Sequence, residues 1–168
     1  REDVAILAHA ANSQSAAKGF GCRAAPAFWR SVVERHKQIR LSLAHFGEFV
    51  THDDCNNPPY SIGPGTWEDE IGAMVSTIGA PNVFADLSYF GPAFRSTAER
   101  TSDDAAVATS LGQWLEVNDP ECRRLLFGTD WSMTKKERGH DSYVANMESL
   151  LTLAGFTEAA LANFFHRN

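Results

Sequence analysis

Four short apolar runs, each followed by a loop and a helical pattern, constrain the fold of this chain most strongly. The runs begin about every forty residues, which is the length of a strand–helix unit with generous loops. They are apolar almost throughout, as strands of a parallel sheet are when both faces of the sheet are buried. The runs occupy residues 4–8, 39–44, 83–87 and 125–127.

The segments between the runs carry apolar residues at helical spacing. Thr66 and Ser102 are expected to cap two of these helices and Thr157 a short last one, because a hydroxyl oxygen there accepts a hydrogen bond from a free backbone N–H. Gly155 ends the helix before Thr157. The predicted apolar faces are Phe28, Val32, Val33 and His36; Trp67, Ile71, Met74, Val75 and Ile78; Val107, Leu111, Trp114 and Leu115; and Tyr143, Met147, Leu150, Leu151 and Ala154.

Strands that alternate with helices predict an α/β fold with a parallel sheet. Two architectures fit: an open, doubly wound sheet or an arc of a (β/α)8 TIM barrel. A whole barrel takes about 250 residues, so four units are about half of one. No glycine-rich phosphate-binding motif follows any strand, which weakens the nucleotide-binding version of the open sheet. Residues 1–168 are expected to form a single domain.

Composition excludes several functions and suggests a compartment. The formal net charge is -6, whereas a nucleic-acid partner requires a basic face. No apolar stretch approaches the roughly 20 residues that span a bilayer, and no signal peptide is visible. The three cysteines, Cys22, Cys55 and Cys122, are far apart and lack metal-ligand spacing. They are interpreted as reduced thiols of a cytoplasmic protein.

Histidines and carboxylates end the predicted strands. His9 ends the first run, His45 the second and Asp130 the fourth. The carboxyl ends of parallel strands form one rim, where α/β enzymes place their active sites. Two imidazoles and a carboxylate there are suitable ligands for Zn²⁺ or a similar divalent ion. Asp86 and Ser88 end the third run, and the Asp86 side chain is expected to bind nearby backbone N–H groups and hold the rim.

A non-catalytic reading of these residues also stays open. In that reading the chain is an α/β binding domain, and His9, His45 and Asp130 bond only to backbone or, for Asp130, cap a helix. His52 and His140 lie in loops on the same rim and, with the Trp131 side chain, are candidates for contact with substrate.

At these residues the sequence resembles the amidohydrolase superfamily, in its amidohydrolase-related branch of metal-dependent hydrolases and decarboxylases. The segments LSLAHFGEF, PNVFADLSYF and RRLLFGTDWSM resemble the sixth, seventh and eighth strands of that branch, and VAILAHA resembles the fifth. LANFFHRN resembles the helix that closes the barrel. The resemblance implies the carboxyl-terminal half of a (β/α)8 barrel.

The resemblance also implies roles for the strand-end residues. His9 matches a metal ligand, His45 a ligand or a group that holds water or substrate, and Asp130 both a ligand and a proton acceptor. The implied reaction is hydrolysis of an amide, lactone or related ester, or a non-oxidative decarboxylation of a small carboxylic acid. The chain has no His-x-His pair, so the implied metal site is incomplete. We therefore expect this chain alone to be inactive and to need an amino-terminal half-barrel or a second copy.

Overall fold

Four parallel strands form one sheet in the computed structural model, which describes residues 4–11, 21–49 and 65–168. The strands are β1 (Ala5–His9), β2 (Arg40–Ala44), β3 (Val83–Asp86) and β4 (Leu125–Leu126). Each strand pairs with the next one along the chain, in the order β1-β2-β3-β4. All four predicted runs therefore form strands. Their sequential order is that of a barrel, because a doubly wound sheet reverses direction at a switch point.

Helices connect the strands and follow the last one. They are α1 (Ala27–Arg35), α2 (Trp67–Gly72), α3 (Ser102–Asn118), α4 (Trp131–Thr134), α5 (Tyr143–Leu153) and α6 (Glu158–Ala162). Wider π-type turns continue α2 through Ala73–Thr77 and α6 through Asn163–Arg167. Tighter 3-10 segments occupy Gly21–Ala24, His45–Phe49, Gly91–Phe94 and His140–Ser142.

Two of the three predicted helix caps are confirmed, and one is wrong by a residue. The hydroxyls of Thr66 and Thr157 each accept a hydrogen bond from the amide three residues on. At α3 the cap is Thr101, and Ser102 is the first helical residue. Asp104 decides this position, because its carboxylate accepts from the Thr101 N–H at 2.8 Å and completes a capping box.

The two faces of the sheet differ in burial. On the face that packs against the helices, five side chains are at most 1% exposed: Leu41, Leu43, Val83, Ala85 and Leu125. On the opposite face, Leu7 of β1 pairs with Ser42 of β2, and Ser42 pairs with Phe84 of β3. Leu7 is 71% exposed, and Ser42 and Phe84 are half-buried. A doubly wound sheet would bury both faces, so the sheet is an arc of a barrel with its inner face partly open.

The predicted face of α1 is only partly correct. Val33 is fully buried, whereas Phe28 is 66% exposed and His36 lies exposed at the carboxyl end of the helix. In the first turn of α1 the neighbouring Trp29, and not Phe28, packs against the core. The other predicted faces contribute to one hydrophobic cluster between the helices and the sheet, except for Trp67, which forms a second cluster with Cys22, Ala24 and Ala25.

The expectation of three reduced cysteines is wrong for Cys22, which is disulfide-bonded. Cys122 is a free, buried thiol, and burial together with the nearby Asp119 charge raises its pKa to about 12. Cys55 lies outside the described residues. Because structural disulfides persist in oxidising compartments, the argument from thiols to a cytoplasmic location loses its support. None of the helices in the described ranges is long and apolar enough to cross a membrane.

Candidate active site

Two predicted site histidines lie side by side at the carboxyl ends of neighbouring strands. His9 is the last residue of β1 and pairs in register with Ala44, the last residue of β2. His45 follows Ala44 directly. The centroids of the two imidazole rings are 4.8 Å apart, with an angle of 61° between the ring planes. The parallel register therefore brings both imidazoles to one point of the rim.

Hydrogen bonds from the end of β3 hold His45 in place. The His45 backbone N–H donates to Asp86 Oδ1 at 3.2 Å, and the same oxygen accepts from the Ser88 N–H at 3.0 Å. His45 Nδ1 lies 3.0 Å from the Ser88 carbonyl oxygen and 3.1 Å from Ser88 Oγ. The prediction that Asp86 holds the rim by binding backbone N–H groups is confirmed.

Asp130 occupies the cap position of α4, but its side chain makes no capping hydrogen bond there. One carboxylate oxygen, Oδ1, instead accepts from the Ser132 hydroxyl at 2.9 Å. The negative charge of Asp130 also acts on His9: it favours a higher pKa of that imidazole, although burial and His45 lower the pKa by more. Capping of α4 therefore does not explain why a carboxylate stands at position 130.

Left-handed backbone marks the strand ends. In the described ranges, five residues other than glycine have positive φ, and four of them follow strands β2, β3 and β4: His45 (67°), Phe46 (50°), Tyr89 (53°) and Asp130 (45°). Such conformations are unfavourable for residues with a side chain, and they concentrate at functional sites. The strain lies where the sequence predicts the site.

The environment of His9 favours its neutral form. Partial burial lowers the pKa of His9, and the neighbouring His45 lowers it further. Asp130 and a hydrogen bond with the Ala11 backbone oppose this shift without reversing it. A neutral imidazole is the form that can donate a lone pair to a metal ion.

Two of the three predicted substrate contacts lie close together. Trp131 is 58% exposed, and its ring centroid lies 6.2 Å from that of the exposed His140. Both are on the loop and short helices that follow β4. His52, the third candidate, lies outside the described residues. Contact of Trp131 and His140 with substrate stays a prediction.

The hydroxyl of Tyr143 is a contribution to the rim that sequence reasoning missed. It donates to the Leu87 carbonyl at 3.0 Å and accepts from the Phe90 N–H at 2.9 Å. The spacing assigned Tyr143 to the apolar face of α5, which is correct, since it is 1% exposed. A buried tyrosine hydroxyl usually has a hydrogen-bond partner, and that rule was the available signal.

The donor chemistry at the rim fits a divalent metal ion such as zinc, which binds imidazole nitrogens and carboxylate oxygens. However, within residues 4–11, 21–49 and 65–168 no group of three His, Cys, Asp or Glu side chains is placed to hold a metal. Joint metal binding by His9, His45 and Asp130 therefore stays a prediction.

Comparison with solved proteins supports the barrel architecture. The chain is similar to an amidohydrolase from Burkholderia multivorans with bound zinc, at a TM-score of 0.54 and 19% sequence identity. The match covers 86% of this chain and 46% of that chain. A second amidohydrolase structure from that organism, with bound HEPES, has a TM-score of 0.49 over the same shares. No family model matches the chain, and no curated protein matches it.

The first likeness shows that the chain has the fold of part of an amidohydrolase. The chain spans about half the length of that enzyme. The predicted fold class, half of a (β/α)8 barrel built from four parallel βα units, is confirmed by the sheet order and by this likeness.

Proposed function

We propose that this chain forms the carboxyl-terminal half-barrel of a metal-dependent hydrolase of the amidohydrolase type. One observation carries the proposal: His9 and His45 meet at 4.8 Å on neighbouring strand ends, and the Asp130 charge acts on the same imidazole. Titratable groups that perturb one another at the carboxyl rim of a barrel are typical of an active site. The shared fold with a zinc-containing amidohydrolase supports the same conclusion.

The three residues would divide the work as follows. His9, His45 and Asp130 would hold the divalent ion, together with ligands from outside this chain. The ion, when bound, supplies Lewis acidity toward water and a substrate carbonyl. Asp130 accepts the proton that water loses and returns it to the leaving group, because its carboxylate is not engaged in a helix cap. As one of the ligands, His45 would stabilise the developing negative charge through the ion that it holds.

The proposed substrates are amides, lactones or related esters of small carboxylic acids. Trp131 offers an exposed aromatic face beside Asp130, and His140 offers a polar edge next to Trp131. Together they would bind the part of the substrate that does not react. In the whole protein an amino-terminal half-barrel or a second copy would complete the metal site. A cytoplasmic location stays a prediction.

Asp130→Asn tests the proposal in the whole protein loaded with zinc. Asn has nearly the same size but cannot accept the proton, so we expect kcat to fall by at least about 100-fold, in line with the usual contribution of general acid–base catalysis. The control is Asp103→Asn, an exposed aspartate in the first turn of α3, which should leave turnover unchanged. Three kinds of compound are assayed as substrates: lactones, amides and a small aromatic carboxylic acid. Carbon dioxide release from the acid, with no hydrolysis, would replace the hydrolase proposal with a decarboxylase.

A further inference from the structure

The contact between Ser88 and His45 favours a proton on one particular ring nitrogen. The Ser88 carbonyl oxygen lies 3.0 Å from His45 Nδ1. A carbonyl oxygen has no hydrogen to donate, so this contact is a hydrogen bond only when Nδ1 carries the proton. In the other tautomer Ser88 Oγ, at 3.1 Å from the same nitrogen, would donate to Nδ1, but the carbonyl oxygen would then face an unprotonated nitrogen, so the carbonyl contact favours the Nδ1–H form. A neutral His45 ring then keeps Nε2 unprotonated.

Asp86 fixes the donor and the acceptor of this hydrogen bond to each other. Its Oδ1 accepts from the backbone N–H of His45 at 3.2 Å and from that of Ser88 at 3.0 Å. Asp86 is 8% exposed and Ser88 is 9% exposed, so water competes weakly for these bonds. One carboxylate oxygen thus holds the backbone of the residue that donates and the backbone of the residue that accepts.

Tyr143 holds the same turn from the helix side. Its hydroxyl bonds to the Leu87 carbonyl and to the Phe90 N–H, which lie on either side of Ser88. Between them Tyr89 adopts φ 53°, which turns the chain sharply. With both ends of the turn fixed, the Ser88 carbonyl has one direction, and it points at the His45 ring.

We propose that Asp86 and Ser88 are positioning residues that hold neutral His45 as the Nδ1–H tautomer and leave the Nε2 lone pair free for the rim. Histidines that bind metals commonly donate their other N–H to a carbonyl oxygen, which fixes the ring and raises its basicity. What Nε2 binds, a divalent ion or a substrate group, rests on the proposed function. The tautomer itself follows from the Ser88 contact and does not depend on it.

The tautomer can be observed directly in the metal-free chain labelled with ¹⁵N. Long-range ¹H–¹⁵N correlation spectra at pH 8 distinguish a protonated ring nitrogen from an unprotonated one. We expect Nδ1 of His45 to be protonated and Nε2 unprotonated. His36, exposed at the end of α1, is the control in the same spectrum and should show the Nε2–H form that predominates in water. A predominant Nε2–H form at His45 would overturn the proposal.

Two substitutions at Asp86 test the positioning role. Asp86→Ala removes the shared acceptor, so we expect the Nδ1–H fraction of His45 to fall toward that of His36. Asp86→Asn keeps a carbonyl oxygen able to accept both N–H groups, and it should restore the wild-type tautomer. An unchanged tautomer in a folded Asp86→Ala chain would contradict the role of Asp86. If Asp86→Ala does not fold, loss of the Nδ1–H form in Asp86→Asn would contradict it instead.

Zinc added to the wild-type chain separates this inference from the proposed function. If His45 binds the ion, the resonance of its Nε2 should move while Nδ1 stays protonated. An unmoved Nε2 in a chain whose tautomer is as expected would count against the proposed metal site and would leave the positioning role supported. Loss of the Nδ1 proton on zinc addition would overturn the inference.

Discussion

Gly128 shows how tightly the rim is packed at the scale of one residue. A Cβ atom at this position would lie 2.8 Å from the Ser88 Cβ and 3.3 Å from Asp86 Oδ1. We expect Gly128→Ala to displace the turn that holds His45 and to lower the free energy of unfolding by about 1–3 kcal/mol, the usual cost of overpacking. Urea denaturation measures this change. The control is Gly91→Ala, where a Cβ would meet nothing within 4 Å; equal losses in both variants would show that space at Gly128 is not the cause.

At the scale of elements, the hydroxyl of Tyr143 joins helix α5 to the turn after β3. Tyr143→Phe keeps the ring but leaves the Leu87 carbonyl and the buried Phe90 N–H without this partner. We expect a loss of about 1–3 kcal/mol in the free energy of unfolding, the cost of an unsatisfied buried polar group. Tyr89→Phe is the control, because its hydroxyl bonds at 2.6 Å to the partly exposed Glu137. Urea denaturation measures both variants. If Tyr143→Phe loses less free energy of unfolding than Tyr89→Phe, the hydrogen bonds of the Tyr143 hydroxyl contribute little.

The start of α3 makes stability depend on pH. Burial raises the pKa of Asp104, but hydrogen bonds from the Arg95 guanidinium and from Thr101 outweigh it, so the pKa is lowered on balance. The folded chain therefore binds the proton less readily than the unfolded chain, whose aspartate pKa is about 3.9. The stabilisation is present above that pH and is lost as the pH falls through the lower, folded value.

Asp104→Asn should therefore lower stability at pH 7 and flatten its decline in acid. We expect a loss of about 1.5–3 kcal/mol at pH 7, the range for hydrogen bonds to charged groups. The neighbouring, exposed Asp103→Asn is the control and should change little. Urea midpoints between pH 7 and pH 3 measure both variants. If the stability of the Asp104→Asn chain falls with pH as steeply as that of the wild type, other carboxylates cause the acid sensitivity.

At the scale of the whole molecule, β1 is an edge strand of the described sheet, and apolar side chains at this edge are exposed. Val4 is 66% exposed and Leu7 is 71% exposed, while β1 pairs in the described sheet with β2 on one side. An open edge beside exposed apolar side chains favours pairing with another chain. We expect the 168-residue chain to associate, and Leu7→Lys to shift it toward monomer in size-exclusion chromatography with light scattering. Val117→Lys, at a 74% exposed position on α3, is the control. A monomeric wild-type chain at all concentrations would contradict this prediction.

Local patterns in the sequence determined the strands and helices and their order along the chain. Strand propensity and helical spacing act over a few residues, so the four strands and most helix faces could be predicted, and so could the rim that carries His9, His45 and Asp130. The Thr66 and Thr157 caps depend on side chains three residues apart, which the sequence displays directly.

Contacts between distant residues were decided by the tertiary structure. The sheet order β1-β2-β3-β4 separated a barrel arc from a doubly wound sheet, and no local pattern contains that order. The Ser88 contact with His45 spans 43 residues, and the Tyr143 bond to Leu87 spans 56. Such pairs form because parallel register places strand ends side by side. The sequence therefore determined which groups reach the rim, whereas the packing of the chain decided which atoms hold them there.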